Sequence, residues 1–408
     1  MSAPTWSWID SAADLEDLAP RLAACEVVGW DTEFHREKSY YPQLALVQVA
    51  WPDGIALIDP LALNLEPLAA VLQDTVSVMH ASDQDISILA RATGSGPARL
   101  FDTQVAAGFL GMSSPSLGSL VEKFRGVRLA KGHRLADWAH RPLSEGECRY
   151  AAEDVAHLLE LHAELSGLLE SKGRLDWALA ECDLLLNRDR SVQDPDTAWW
   201  RLKDSRALRK ESRGVAQELT AWRERRAEKL DIPPRFVLSD MAVVNLAQRK
   251  PATGSDLDGI RGLDRRQISS VTEDLLAAVK RGLELDPKSL RLPVADEGER
   301  GQRAGVTLAS AWVAQLGRDL GIDPAILATR SDVVGFLRGS DESSLSGGWR
   351  AELVGEPVRR LVSGQAALAF DGDQLILEDR VRPAGATNST GSNSGTGTDS
   401  GEGSEQGA

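Results

Sequence analysis

The chain is poor in cysteine and has no long apolar run. Cys25, Cys148 and Cys182 are the only thiols in 408 residues, odd in number and widely spaced. That excludes a disulfide framework and the paired spacing of a zinc site, and it favours a reducing compartment. Small core residues are the ordinary role for such thiols. No run of about 18 apolar residues occurs, so no transmembrane helix and no membrane partner are expected. The segment Met1 to Trp6 lacks a basic stretch followed by an apolar one, so no secretory signal is expected and the cytoplasm is the expected location. A Gly-Lys-Ser/Thr phosphate loop is missing, which argues against helicase chemistry. A Gly-x-Ser-x-Gly elbow is missing too, which removes support for a hydrolase triad. His157 and His162 stand five apart, a poor metal spacing, and His133 and His140 flank Asp137-Trp138; solvated or core roles suit all four.

Positive charge is also scarce, and unevenly so. The net charge is −15. Residues 1–195 carry about 29 acidic and 16 basic side chains, whereas residues 201–291 carry about 14 and 20. A basic segment inside an acidic protein suggests a separate module facing nucleic acid, although a solvated helical surface gives the same count.

The length calls for two or three domains. Residues 26–60 read as three strands with hairpin connections, broken by the Pro52-Asp53-Gly54 turn. Short strands are expected at 76–79 and 99–102, and helices near 65–73, 83–92, 103–111 and 116–125. Ser144 and Glu147 form a capping box that starts a long helix. This mixture predicts an α/β domain over 1–196. Strand signals then fade. Helices are expected from Ala207 to Lys229, after Ser239, and from Gln267 to Leu285, which gives an all-helical domain over 205–287. Residues 288–302 read as a linker, 303–380 as a second helical unit, and 384–408 as a disordered acidic tail rich in Gly, Ser and Thr.

Four carboxylates and a tyrosine carry the chemistry. Asp31 and Glu33 are two apart on a predicted strand, so they share a face at the end of the apolar run Val27-Val28-Gly29-Trp30. Charges there are costly unless solvated or paired, and metal binding supplies pairing. Asp85 lies near the start of a predicted helix, where a capping role is equally ordinary. Tyr150 and Asp154 are four apart on one helix face. Phosphodiester cleavage needs a nucleophilic oxygen and charge neutralisation; two divalent ions about 4 Å apart provide both, and carboxylate oxygens suit hard ions such as magnesium. A phenol with an ordinary pKa near 10 is better suited to orienting the attacking water than to deprotonating it. Phe34 is a candidate to stack on a terminal base, and equally a core residue.

These residues, with Asp31 to Gln48, Ala56 to Leu61, His80 to Asp85, Phe101 to Gln104, Asp137-Trp138, Arg141 to Leu143 and Tyr150 to Asp154, closely resemble the DEDD exonuclease superfamily, and within it ribonuclease D. The resemblance covers about residues 26–165. It implies a ribonuclease H-like mixed sheet flanked by helices, and two divalent ions, Mg²⁺ or Mn²⁺, held by Asp31, Glu33, Asp85 and Asp154. Tyr150 places the chain in the tyrosine subtype; the histidine subtype would have His where Arg149 stands. The unit at 205–287 is similar to an HRDC domain, on Trp222 to Lys229, Pro233-Pro234 and Leu257 to Gly262. That likeness makes Arg206, Arg209, Lys210, Arg213, Arg223, Arg225 and Arg226 candidate phosphate contacts, which position RNA without reading sequence. The 303–380 unit is a candidate second, diverged HRDC domain.

The expectation is therefore a monomeric 3′–5′ exoribonuclease that trims structured RNA with 3′ extensions, such as tRNA precursors, and releases 5′-monophosphates. Two rival readings stand beside it: a DNA exonuclease of the same superfamily, since the metal site does not read the sugar, and a catalytically silent RNA-binding scaffold.

Overall fold

A computed structural model describes residues 4–130, 132–133, 136–190, 194–203, 205, 208–264, 269–292, 297–340 and 343–380. The first part is built on a six-stranded mixed sheet. Its strands are β1 (Ser7–Ile9), β2 (Val27–His35), β3 (Gln43–Trp51), β4 (Gly54–Ile58), β5 (Val76–Met79) and β6 (Arg99–Asp102), in the spatial order β1-β4-β3-β2-β5-β6. β2, β3 and β4 form an antiparallel meander. β5 runs parallel to β2 and β6 parallel to β5, so β2 is where the two pairing modes meet. β1, only Ser-Trp-Ile, pairs parallel with β4 and is too short to show any period in the sequence.

Helices cover both faces. α1 (Ala12–Ala23), α2 (Leu68–Asp74) and α3 (Asp83–Thr93) pack on the face that receives Trp30, Val47 and Val49. α6 (Glu145–Ala156) and α7 (Leu158–Ser171) pack on the other, with α4 (Thr103–Gly108), α5 (Leu117–Arg125) and α8 (Leu175–Leu186) completing it. Covered on both sides, β3 is buried from Ala45 to Trp51, as a central strand should be. Gly29 lets α7 close onto β2: a Cβ there would lie 3.1 Å from Leu159 and 3.2 Å from Leu158. The expected long helix after Ser144 is two helices, because the chain leaves helical geometry at His157.

The second part is helical. α9 (Lys210–Leu230), α10 (Pro234–Val237), α11 (Asp240–Arg249) and α12 (Thr272–Glu284) enclose a core of Val215, Leu219, Val243, Leu246, Leu275 and Val279. The Pro195–Arg201 turn closes its base, where the indoles of Trp199 and Trp200 both donate to the Arg291 carbonyl, at 3.0 and 2.8 Å. α9 starts at Lys210 and α12 at Thr272, each later than the sequence suggests; Arg206, Ala207 and residues 265–268 lie outside the described residues.

The third part departs further from expectation. α13 (Glu297–Leu320) begins inside the stretch read as a linker, of which 293–296 lie outside the described residues. α14 (Pro324–Leu327), α15 (Arg330–Leu337) and a helical run over 348–362 follow. The chain then forms an antiparallel hairpin, β7 (Ala366–Asp371) and β8 (Gln374–Asp379), so the unit is not all-helical. Nor does it stand apart. Val306, Ala309, Val313, Leu345 and Val354 share one apolar cluster with Phe101, Phe109 and Leu158 of the sheet domain. Trp349 stacks on Trp177 at 5.1 Å, Arg350 pairs with Glu181, and Asp323 donates its amide to the Gly108 carbonyl at 2.8 Å. A Cβ on Gly108 would meet Ile326 at 2.7 Å. The tail at 384–408 lies outside the described residues. Among the described residues, no helix is long and apolar enough to cross a membrane.

Candidate active site

The candidate site wraps around the end of β2. Strand alternation sends Asp31 and Glu33 to the α6–α7 face and Thr32 to the α3 face. From α6, Asp154 reaches the first pair: one carboxylate oxygen from each of Asp31, Glu33 and Asp154 lies within 4.8 Å of the others. From α3, Asp85 approaches on the far side, where its carboxylate accepts a short hydrogen bond from the Thr32 hydroxyl. A register shift between Glu33 and Phe34 then bends the strand, as bulges do beside reactive sites. The capping box fixes where α6 begins: the Ser144 amide donates to Glu147 at 2.7 Å and the Glu147 amide to Ser144 Oγ at 3.3 Å.

Burial and mutual repulsion dominate the electrostatics. Desolvation, then Asp154, Asp85 and Glu33, hold the Asp31 carboxyl well above the usual range. Desolvation, with Asp154 and Asp85, pushes Glu33 up to about 8. Asp154 is pushed up to about 7, mainly by burial, and Asp85 to about 6, again mainly by burial, with the Thr32 hydrogen bond opposing it. Among the described residues, no arginine or lysine figures with the groups that act on these four. Asp31, Glu33 and Asp154 keep partial solvent access while Asp85 is buried. Clustered hard oxygen donors that repel one another and keep partial solvent access suit a divalent ion.

Tyr150 belongs to the same constellation. Its phenol donates to Asp154 one helical turn away. Trp138, which is buried, and His133 flank its ring, with centroids at 6.0 and 6.1 Å. Tyr150→Phe keeps this packing and loses the hydroxyl. We expect kcat to fall roughly 10²-fold with KM nearly unchanged; steady-state kinetics on a labelled oligonucleotide checks it, and a wild-type kcat would remove the tyrosine from the chemistry.

Known proteins decide the family. A family model for a 3′–5′ exonuclease matches residues 6–170, and one for an HRDC domain matches residues 212–279. The chain is 36% identical to ribonuclease D of Nitrobacter hamburgensis over 380 residues, covering 91% of this chain and 99% of that protein. The chain belongs to the ribonuclease D family. Ribonuclease D of Gluconacetobacter diazotrophicus is 34% identical over 375 residues, covering 90% and 95% of the two chains. The crystal structure of Escherichia coli RNase D, described as an exoribonuclease involved in structured RNA processing, matches with a TM-score of 0.80 at 31% identity, over 88% of this chain and 99% of that one. As a member of that family, the chain is a 3′–5′ exoribonuclease, a phosphodiester hydrolase, and exonucleases of its kind generally use divalent metals.

Several residues that support the site are not legible from spacing. Thr32 could have been suspected only as the residue between two site carboxylates. Asp102 accepts five hydrogen bonds: from the amides of Ala81, Ser82, Gln104 and Val105 at 2.8–3.2 Å, and from Ser82 Oγ at 2.8 Å. It thereby caps α4 and also holds the turn at Ala81, whose φ is +56°, that leads into α3 and Asp85. Arg141 forms a bidentate pair with Asp59 at 2.6 and 2.7 Å and donates to the carbonyls of Trp138 and Ala45, both at 2.7 Å. It fastens the Trp138 segment, and so the wall beside Tyr150, to the sheet.

The expected nucleic-acid contacts are placed unevenly. Phe34 is half-buried just beyond the β2 bulge. Arg209 and Lys210 are exposed at the start of α9, while Arg206 lies outside the described residues. The Nε of Arg213 donates to the Leu208 carbonyl at 3.2 Å. Arg225 is exposed but pairs with Asp196 at 3.2 Å, and the Arg226 guanidinium lies 6.0 Å from the Trp222 ring centre. Arg223 corrects the expectation of a surface cation: it is buried and bonded to Asp240 at 2.6 Å, because its helix face meets α11 rather than solvent.

Proposed function

We propose that this protein removes nucleotides one at a time from the 3′ ends of structured RNA, such as tRNA precursors. The observation that carries the reading is the convergence of Asp31, Glu33 and Asp154 within ligand distance of one another, with the Tyr150 phenol bonded to Asp154. Asp31, Glu33, Asp85 and Asp154 hold two divalent ions, Mg²⁺ or Mn²⁺. Ions bound there supply an activated water and neutralise the charge that builds on the phosphate. Tyr150 orients that water in line with the bond to the penultimate 3′ oxygen, which leaves as a hydroxyl, and the nucleotide departs as a 5′-monophosphate. Phe34 stacks on the terminal base. Arg209, Lys210, Arg213, Arg225 and Arg226, with Arg206, belong to the surface that grips the RNA body through phosphates, while Arg223 secures that surface from within.

The working limits are an exonuclease unit at 1–196 and an HRDC unit at 205–287, with the third unit, from α13 to the β7–β8 hairpin, packed on the first. A cytoplasmic monomer is the form we assign to it. A gel time course on a 5′-labelled tRNA precursor with a short 3′ extension tests the function. Shortening from the 3′ end in magnesium or manganese, abolished by chelator, is the expected result. Faster loss of a matched DNA would redirect the reading to DNA, and binding without shortening would leave only a scaffold.

A further inference from the structure

A second feature of the molecule lies beside the carboxylates and is opposite to them in charge. A cleft of about 720 Å³ opens between the β2–β3 loop, α3 and the helical unit around α9 and α10. Arg36, Arg91, Arg190, Arg201, Arg223 and Arg235 line it, against two carboxylates, Glu224 and Asp240. In a protein of net charge −15 this is a concentrated positive site.

The six arginines divide by partner. Arg190 pairs with Asp83, Arg201 with Glu224, and Arg223 with Asp240. The other three are exposed and, among the described residues, their contacts are with neutral groups: Arg36 donates to the Gln84 side chain at 2.8 Å, Arg235 donates to the Glu37 carbonyl at 3.1 Å, and Arg91 lies 3.5 Å from the centre of the Tyr41 ring. Arg223 adds an independent sign of an unmatched donor. It is buried in the cleft wall, and its Nε has no hydrogen-bond partner among the described residues.

Rigid contacts hold the cleft open and in register with the candidate active site. The amides of Tyr40 and Tyr41 donate to Asp231 at 3.1 and 3.2 Å, and the Tyr41 hydroxyl donates to Glu228 at 2.5 Å, so the β2–β3 loop is bolted to the end of α9. One wall is the α3 face of Ser87, Ile88 and Arg91, on the helix that carries Asp85 and, next to it, Gln84, the partner of Arg36. Arg36 follows Glu33 by three residues, just past the end of β2. Seven residues of helix separate Gln84 from Arg91, about 10 Å along the axis. The cleft therefore starts beside the carboxylates and runs away from them towards the helical unit.

We propose that this cleft binds the phosphates of the RNA strand that leads into the cleavage site, with Arg36, Arg91 and Arg235 as direct contacts. The inference rests on the proposed function and names where its substrate lies. Guanidinium forks match phosphate oxygens. Two tyrosine rings in the same wall supply the mixture of cation and aromatic surface that single strands use. These contacts are distinct from those expected along α9, and they join the exonuclease and helical units into one track.

Salt dependence of binding provides the test. A labelled ten-nucleotide single-stranded RNA is titrated with the full chain in chelator, so that nothing is cleaved, over a range of salt concentrations. Each lost phosphate contact on a single strand lowers the slope of log K against log salt by about 0.7. Changing Arg36, Arg91 and Arg235 together to Gln should lower it by about 2. The same three positions changed to Lys should keep the slope, because the charge stays. Arg99→Gln, at the opposite end of the sheet on β6, should match the unaltered protein. An unchanged slope in the triple Gln variant overturns the proposal. So does an equal loss in the Lys variant, which would assign the arginines to holding the loop. An unaltered protein that trims RNA while the triple Gln variant binds with its slope leaves the function standing and removes only the cleft; a protein that neither trims nor binds removes both.

Discussion

Replacing Asp154 with Asn is expected to reduce turnover at least about 10³-fold, the scale of losing a principal electrostatic group in a reacting centre. The substitution isolates charge. An Asn side chain keeps the shape and can still accept the Tyr150 hydrogen bond, so packing on α6 is preserved. What it removes is one of three carboxylates whose oxygens stand within 4.8 Å of one another. Asp31→Asn should fall as far. The double variant should be little worse than either single one, since groups that act as a unit lose their function together. Single-turnover cleavage of a 3′-extended RNA at saturating magnesium is the measurement. Residual activity within tenfold of the unaltered protein would remove Asp154 from the metal cage.

The second large effect concerns stability rather than rate. Glu33 and Asp154 carry pKa values pushed up to about 8 and about 7, above the ordinary range near 4. The folded protein therefore binds protons more tightly at these sites than the unfolded chain does. Linkage then requires stability to fall as pH rises from about 4 through 8. Two half-buried histidines act in the opposite sense at the lower end: desolvation lowers the pKa of His80 and His162, so stability gained from them rises with pH up to their unfolded value near 6.5. The window from about 6.5 to 8 is thus left to the carboxylates. In chelator, stability should drop by roughly 2 kcal/mol across it, or about 4–8 °C in Tm. Magnesium should reverse the drop, because an ion bound to the folded state alone stabilises it. Asp154→Asn should flatten the chelator profile. A Tm that rises with pH in chelator over this window would contradict the whole electrostatic account.

The parts of the site that sequence reveals are those tied to a fixed period. Asp31 and Glu33 share a strand face, Tyr150 and Asp154 share a helix face, and Ser144 with Glu147 marks where that helix begins; each follows from spacing alone. Asp102 and Arg141 do not. Their importance comes from bonds across 20 to 96 positions of chain, to Ser82, Asp59 and Ala45, and local pattern holds no trace of such pairings. Arg223 shows the reverse failure. On a basic helix every arginine reads as a surface cation, and only the docking of α11 reveals which one turns inward. The third unit was misread for a related reason. Its apolar residues sit at helical spacing, but they share one cluster with Phe101, Phe109 and Leu158, about 150 to 260 positions earlier. A terminal hairpin of six-residue strands gives too weak an alternation to overrule the helices before it.

The shared core of the first and third units also constrains how the protein is made. Phe109, Trp177 and Gly108 lie against residues about 170 to 240 positions further along, Ile326 and Trp349. During synthesis that apolar face emerges with the sheet domain, while its cover is still unread. Between the end of α8 and Val358 about 170 residues must be added. At roughly 5–20 residues per second this leaves the face bare for on the order of ten to thirty seconds on every nascent chain. The sheet domain therefore passes through a sticky interval before its last third arrives. A truncated message that ends after α8 makes that interval permanent, so its product would be recovered as aggregate rather than as a small, active nuclease.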